Sequence, residues 1–202
     1  MPTTKQRIIL NARGLFSKYG IANTRLQQIA DETEISVGNL AYHFNNKEEI
    51  VRELYHETLE ELSQILLISK IYPSLESFET KFSNLYQFME QNVFYFTNFW
   101  EIKRNYPSVN EKIHAINKKI LSKLKKRILD NEKRGMIKKE ENKGSYDLLS
   151  VALLNSINSW LPQQLLNDKP IKEKVFKSYL WNHLYPHLTE KGKKEFRSVS
   201  MI

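Results

Sequence analysis

The sequence predicts an all-α protein, an N-terminal three-helix unit built around a helix-turn-helix and joined to a larger C-terminal helical domain, with about nine helices in all. Three observations carry this expectation. Apolar residues recur at helical spacing along most of the 202 residues. Capping residues and glycine or proline stops fall between the periodic stretches. No alternating apolar run or tight hairpin turn competes with them. A hydrophobic content of 41% is ample for a packed interior of one large or two small domains.

The first helix is expected over residues 4–19, with Ile8, Ala12, Leu15, Phe16 and Tyr19 on one stripe and Gly20 as its stop. Thr24 and Gln27 have the form of a capping box that opens a second, short helix. Leu26, Ile29 and Ala30 share one of its faces, and residues 31–34 interrupt the period before Ile35 restores it. Ser36 then caps a third helix, from Val37 to about Phe44. Leu40, Ala41 and Phe44 are at inward spacings, which leaves Val37, Asn39, Tyr42 and His43 facing outward, where they can reach a DNA groove. Residues 1–46 thus read as a DNA-reading head. Asn46 with Glu49 caps a long helix over roughly residues 47–68, with Ile50, Leu54, Leu62, Ile65 and Leu66 as its apolar positions. That helix connects the head to the rest of the domain 47–202.

Pro73 and Ser74 open a helix that reaches about residue 91, and the aromatic-dense stretch 92–106 is expected to form a short helix with irregular flanks. Pro107, with the box Ser108 to Glu111, starts a helix that reaches about Arg134 and stops at Gly135. Residues 138–144 read as an exposed loop. Two helices follow, over 145–166 and 171–187, and Pro162 is expected to bend or end the first. From Leu188 onward the chain is mostly polar and reads as partly disordered.

Composition excludes several functions. There is no cysteine, hence no disulfide framework, thiolate metal site or cysteine nucleophile. The N-terminal residues lack a signal-peptide core and no apolar run reaches membrane-span length, so a soluble cytoplasmic protein is expected, with no membrane partner. The net charge of +8 is uneven: residues 1–50 carry +1, residues 51–100 carry −4, residues 101–144 carry +8 and residues 145–202 carry +3. The basic excess therefore lies outside the reading head. Phosphate binding there has to rest on a few placed groups, namely Thr24, Arg25, Tyr42, Lys47 and helix N-termini.

Thr24, Ile29-Ala30, Ile35-Ser36, Gly38, Leu40, His43-Phe44, Lys47 and Ile50 resemble the N-terminal signature of TetR/AcrR-type transcriptional regulators. This signature covers about a quarter of the chain, and the remainder resembles the family in length and helical plan. The resemblance implies an operator-binding homodimer whose C-terminal domain binds a small-molecule effector and dimerises. It implies a recognition helix in the major groove of double-stranded DNA, with Gly38 allowing close backbone approach, Asn39 on adenine and Val37 on a thymine methyl. Tyr42, His43, Lys47 and Thr24 would then hold phosphates. Two positions depart from the family pattern. Glu34 stands where a glycine or small residue is usual in the turn, and Ala41 stands where many relatives have the first tyrosine of a pair.

In the C-terminal part, Phe82, Tyr86 and Met89 recur at helical spacing, as do Phe96, Phe99, Trp100 and Lys103. Two such faces suit an apolar effector pocket with His114 or Trp160 as polar handles, and the same spacing equally suits plain core. Lys118, Lys119, Lys123, Lys125, Lys126 and Arg127 surround the buried stripe of their helix, as a solvated face or as attraction for an anionic inducer. Leu149, Leu153 and Ile157 with Val175, Tyr179 and His183 supply a two-helix face for dimerisation as a four-helix bundle. His183 and His187 have helical ligand spacing, but Pro186 intervenes and no carboxylate completes a metal site, so surface or interface packing is the expectation. No phosphate loop, metal cluster or nucleophile and base pair stands out, so neither catalytic residues nor a cofactor are expected.

Overall fold

In the computed structural model, which describes residues 2–67 and 74–199, each expected helix forms and the aromatic and C-terminal segments add more. Among the described residues there are eleven α-helices: α1 (Thr4–Tyr19), α2 (Leu26–Thr33), α3 (Val37–His43), α4 (Lys47–Leu67), α5 (Leu75–Gln91), α6 (Val93–Thr97), α7 (Phe99–Asn105), α8 (Pro107–Lys133), α9 (Ser145–Leu166), α10 (Glu173–Leu184) and α11 (Glu190–Val199). Ile68 and Pro73, expected at helix boundaries, lie outside the described residues. The chain divides into two compact units, Met1–Glu61 with Gln91–His114, and Leu62–Glu90 with Ala115–Ile202. The first holds the reading head together with most of α4 and all of α6 and α7.

In the first unit, α1 opens on a reciprocal box: Gln6 N–H donates to Thr3 Oγ1 at 3.2 Å, and Thr3 N–H donates to Gln6 Oε1 at 2.8 Å. Ile8, Ala12 and Phe16 are buried on its inner stripe. Tyr19, expected on that stripe, is exposed instead, with the Lys18 ammonium over its ring. Asn11 donates to Glu32 O and to Thr33 Oγ1, both at 3.1 Å, and Arg7 donates to Thr33 O, so side chains of α1 satisfy the last carbonyls of α2.

The aromatic segment braces this unit from behind. It forms two short helices where one was expected, because Asn98 interrupts the run: its Oδ1 accepts from Ile21 N–H at 3.1 Å and its Nδ2 donates to Phe94 O at 2.9 Å. Phe94, Tyr95 and Phe96 are buried, and Tyr55 of α4 meets Phe94 edge-on at 5.2 Å. Each such side chain stabilises the unit by roughly 1.5 to 3 kcal/mol through burial.

In the second unit, α9 runs unbroken through Pro162 to Leu166, so the proline does not end it. α10 ends at Leu184 and a 3-10 turn, Tyr185–His187, follows. The stretch from Leu188 corrects the expectation of disorder. It forms α11, whose Phe196 packs on Trp181 at 4.7 Å and on Tyr185 at 5.3 Å. Its entry is pinned by an isolated bridge between Ile137 and Leu188 and by Thr189 N–H on Met136 O at 3.0 Å. A Cβ at Gly192 would stand 2.1 Å from the Met136 carbonyl oxygen, so only glycine lets α11 approach.

Candidate nucleic-acid interface

The turn before the third helix depends on one strained residue. Glu34 ends α2 in the left-handed region at φ 59°, with its N–H on Asp31 O at 3.0 Å, while Ile35 N–H reaches back to Ala30 O at 3.1 Å. Ser36 then caps α3, its Oγ accepting from Asn39 N–H at 3.1 Å. Leu40 and Phe44 bury the inner side of this short helix. Ala41, expected inward, is exposed, because α3 is only seven residues long and those two side chains already fill the space beneath it.

The outer side is Val37, Gly38, Asn39, Ala41 and Tyr42, all exposed, with Tyr42 at 86%. His43 is half-buried and stands edge-on to Tyr42, ring centroids 5.2 Å apart. The fold does not require these residues. A Cβ at Gly38 would meet nothing closer than Ser36 Oγ at 3.9 Å, an ordinary contact, although glycine costs a helix about 1 kcal/mol relative to alanine. Tyr42 leaves a large aromatic in water, and the Asn39 carboxamide bonds to none of the described residues. A glycine without internal need beside an exposed amide and an exposed phenol is an arrangement made for an outside surface.

Two of the side chains expected on phosphate are engaged within the unit. Thr24 is fully buried and its Oγ1 donates to Gly20 O at 2.8 Å. It does not cap α2. Arg25 occupies that position, and Gln28 rather than Gln27 reaches back, Oε1 accepting from Arg25 N–H at 2.7 Å. The register moves one residue because the turn consumes the threonine hydroxyl. Lys47 turns inward: its ammonium donates to Ile21 O at 2.8 Å, Thr24 O at 3.0 Å and more weakly to Ala22 O at 3.5 Å. Its donors are committed to backbone carbonyls of the loop that leads into α2. Of the expected groups, Arg25 and Tyr42 stay exposed; Ser36, which caps α3, is exposed as well, with its oxygen engaged in the cap.

The expected effector residues divide between the units. Phe96, Phe99, Trp100, Lys103 and His114 belong to the first, where Phe96 is buried core and Trp100 is 68% exposed beneath the Lys103 ammonium, 5.3 Å from its ring centre. Phe82, Tyr86, Met89 and Trp160 belong to the second and are buried. Phe176 packs between Trp160 at 5.1 Å and Tyr86 at 6.2 Å, so those two serve as core.

Sequence reasoning missed most of a narrow cleft in the second unit, with a cavity volume of about 20 Å3. Leu66, Phe78, Phe82, Leu85, Ile120, Leu124 and Ile157 form its walls, and Lys81, Lys123 and Arg127 also line it. Lys123 and Arg127 sit four residues apart beside the buried Ile120 and Leu124. That juxtaposition was a readable signal within the basic helix.

Of the expected dimer residues, Leu149, Leu153 and Ile157 are buried within the chain's own second unit. The exposed apolar residues of α9 are Leu148, Val151, Leu165 and Leu166, and those of α10 are Val175 and Tyr179. His183 is half-buried, Nε2 2.8 Å from Ser156 Oγ. His187 lies beyond the end of α10 and packs edge-on to Tyr146 at 6.0 Å, so the helical spacing of the two histidines is broken. Among the described residues no group of three metal-ligating side chains gathers, and no helix is long and apolar enough to cross a membrane.

Comparison with known proteins adds to this geometry. The family model described as bacterial regulatory proteins, tetR family, matches residues 8–54, and the model described as bacterial transcriptional repressor matches residues 54–196. A 64-residue stretch is 39% identical to the HTH-type transcriptional regulator TtgR of Pseudomonas putida and covers 30% of each chain. Less than a third of the length of that curated relative is therefore matched. Among solved structures, a TetR-family transcriptional regulator from Marinobacter aquaeolei VT8 superposes with a TM-score of 0.87 at 19% identity, over 99% of this chain and 98% of the other. AibR, solved with isovaleryl coenzyme A and operator DNA, superposes at 0.72 with 15% identity, over 92% of this chain and all of the other. Both likenesses are of fold.

Proposed function

The chain belongs to the tetR family of bacterial regulatory proteins, and from that premise we propose that it is a cytoplasmic homodimeric repressor, released from a near-palindromic operator by a small, apolar-tailed effector. The observation that carries the reading is the outer side of α3. Gly38 lets the helix backbone approach base edges, Asn39 offers paired hydrogen bonds to adenine and Val37 meets a thymine methyl. Tyr42 and Arg25 hold flanking phosphates. Because the head carries so little net charge, its specificity rests on placement rather than on bulk attraction.

Dimerisation is supported by the exposed residues of α9 and α10, above all Leu148 at 71% and Leu166 at 76% exposure. Two antiparallel helices with more apolar surface than one chain can cover suit an isologous four-helix contact. Effector binding selects a conformation in which the two heads are wrongly spaced for the operator. α4 is suited to carry that change, since its first turn holds the loop into α2 through Lys47 and its last carbonyls belong to the second unit.

The test is footprinting on DNA flanking the protein's own gene, repeated with candidate apolar effectors. A protected near-palindrome that is released by an effector supports the reading. Absence of any sequence-specific protection rejects it, and protection indifferent to every effector favours a regulator without a small-molecule inducer.

A further inference from the structure

A separate cavity of the second unit, with a volume of about 270 Å3, lies where the 3-10 turn Tyr185–His187 meets the start of α9. Its frame is fixed by bonds within the chain. Lys138 N–H donates to His187 O at 2.8 Å beside the Ile137–Leu188 bridge, and the Lys138 ammonium donates to Pro186 O at 2.9 Å. Glu140 does not line the cavity; its Oε1 accepts from Gly144 N–H at 3.1 Å and from Tyr146 N–H at 2.9 Å, so the first turn of α9 is already capped. The buried Tyr146 phenol donates to Lys138 O, and its ring meets the edge of His187 at 6.0 Å. Four other polar side chains are left over. Lys139, Glu141, Asn142 and His187 line the cavity, and none of them makes a side-chain hydrogen bond or ion pair among the described residues. Burial, with the Lys138 ammonium beside it, holds the His187 imidazole below its ordinary range against the pull of Glu141. Near neutral pH that ring is uncharged, so Lys138 and Lys139 against Glu141 leave the lining with a single positive charge in excess.

We propose that this cavity binds a small hydroxylated carboxylate, a sugar acid or short hydroxy acid, with its carboxylate on Lys139 and Lys138 and its hydroxyls on Glu141, Asn142 and His187. The inference goes beyond the regulator reading and does not rest on it. One carboxylate balances the excess charge and receives charge-assisted hydrogen bonds that a neutral polyol cannot. Lys138 retains donors for it, since an ammonium has three and Pro186 O takes one. An acid, an amide and an imidazole together present both donors and acceptors, which hydroxyl groups satisfy in both senses and an alkyl chain leaves unmet. Because backbone bonds set the frame on both sides, little of it has to be ordered when a ligand enters. The volume is far above the share of one water, about 30 Å3, and close to the lower end of ordinary small-molecule sites, about 300 Å3, which suits a short polar ligand.

The experiment is calorimetric titration of the full chain with glycerate and gluconate, each set against the polyol and the alkyl acid of the same carbon number: glycerol and propionate, glucitol and hexanoate. At least one hydroxylated acid is expected to bind saturably with a Kd below about 10 mM, about tenfold or more tightly than either counterpart. Lys139→Glu, at an exposed position with no side-chain partner among the described residues, is expected to weaken that binding about tenfold or more. Lys169→Glu makes the same change of net charge just past the other end of α9, where it is exposed, and is expected to leave binding as it was. Glu141→Ala, also at an exposed position, is expected to shrink the preference over the alkyl acid severalfold. No saturable binding of either hydroxylated acid, binding matched by the polyol or the alkyl acid, equal losses in Lys139→Glu and Lys169→Glu, or a preference over the alkyl acid untouched by Glu141→Ala overturns the inference.

Discussion

The ammonium of Lys47 donates to the carbonyl of Ile21 at 2.8 Å, which ties the first turn of α4 to the loop that positions α2. A second bond, to Thr24 O at 3.0 Å, holds the other end of the same short loop. The lysine that the signature places for phosphate thus engages the loop that leads into α2.

Lys47→Ala is therefore expected to destabilise the protein by about 1 to 3 kcal/mol, through loss of charge-assisted bonds to carbonyls. Operator affinity is expected to fall as the head loosens, while the slope of affinity against salt concentration stays unchanged. Chemical denaturation and a salt titration of binding check both halves. A slope reduced by about one counterion, with stability intact, would show a phosphate contact instead.

Glu34 is held at φ 59°, where a side chain costs roughly 1 to 2 kcal/mol and glycine costs nothing comparable. Its side chain is exposed, so little packing is lost on removing it. Glu34→Gly is expected to stabilise the protein by about 1 kcal/mol, offset in part by the greater freedom of glycine in the unfolded chain. The midpoint of urea unfolding measures it; a lower midpoint would mean the turn relaxes around glutamate without strain.

Gly192 has the opposite constraint. With the Met136 carbonyl oxygen 2.1 Å from the position of its missing Cβ, Gly192→Ala forces backbone apart and is expected to release α11 from the second unit. Hydrogen exchange should then speed through residues 190–199 and spare α1 to α3. Unchanged protection of α11 would refute the packing argument.

The helical plan was legible because its signals are local. Thr4 to Tyr19 and Asn46 with Glu49 need only periodicity and a cap. Val37, Asn39 and Tyr42 were legible as exposed residues of α3 for the same reason, whereas Ala41 and His43 fall at the edge of the buried side, where spacing alone does not decide. What failed depended on distant partners. Thr24 looks like a cap until Gly20 O claims its hydroxyl, and Lys47 looks like a phosphate ligand until three loop carbonyls surround it. Leu149, Leu153 and Ile157 read as a surplus apolar face, but the chain's own core takes them and leaves Leu148 and Leu166 outside. The polar tail became α11 because Phe196 finds Trp181, a pairing that no local pattern announces.

The cleft should be sensitive to pH through Lys81. Burial, with Arg127 and Lys123 beside it, brings its ammonium from the ordinary 10.5 down to about 8. The groups facing it are those two cations on α8 and the Ile65 and Leu66 carbonyls of α4. The charged ammonium is the penalised form, so the penalty is present below about pH 8 and is relieved toward 10.5, modestly for a half-buried group. Chemical denaturation at about pH 7 and about pH 9, of the protein and of Lys81→Met, checks it. The protein is expected to gain stability relative to Lys81→Met at the higher pH, and an unchanged difference would contradict it.

Gly38 separates fold from function. Gly38→Ala is expected to raise thermal stability, since alanine is favoured in a helix by about 1 kcal/mol and has room here, yet to weaken operator binding by crowding the duplex. Gel-shift and thermal-melting assays on one preparation check this. Greater stability with undiminished affinity would mean that the backbone does not approach DNA closely.

The most direct test of the account is the affinity of Asn39→Ala for the footprinted operator, set against its affinity for random DNA at the same salt concentration. If the exposed face of α3 reads bases, the operator affinity falls by about 1 to 3 kcal/mol while random DNA binds nearly as before. Equal losses on both, or no loss on the operator, would contradict it.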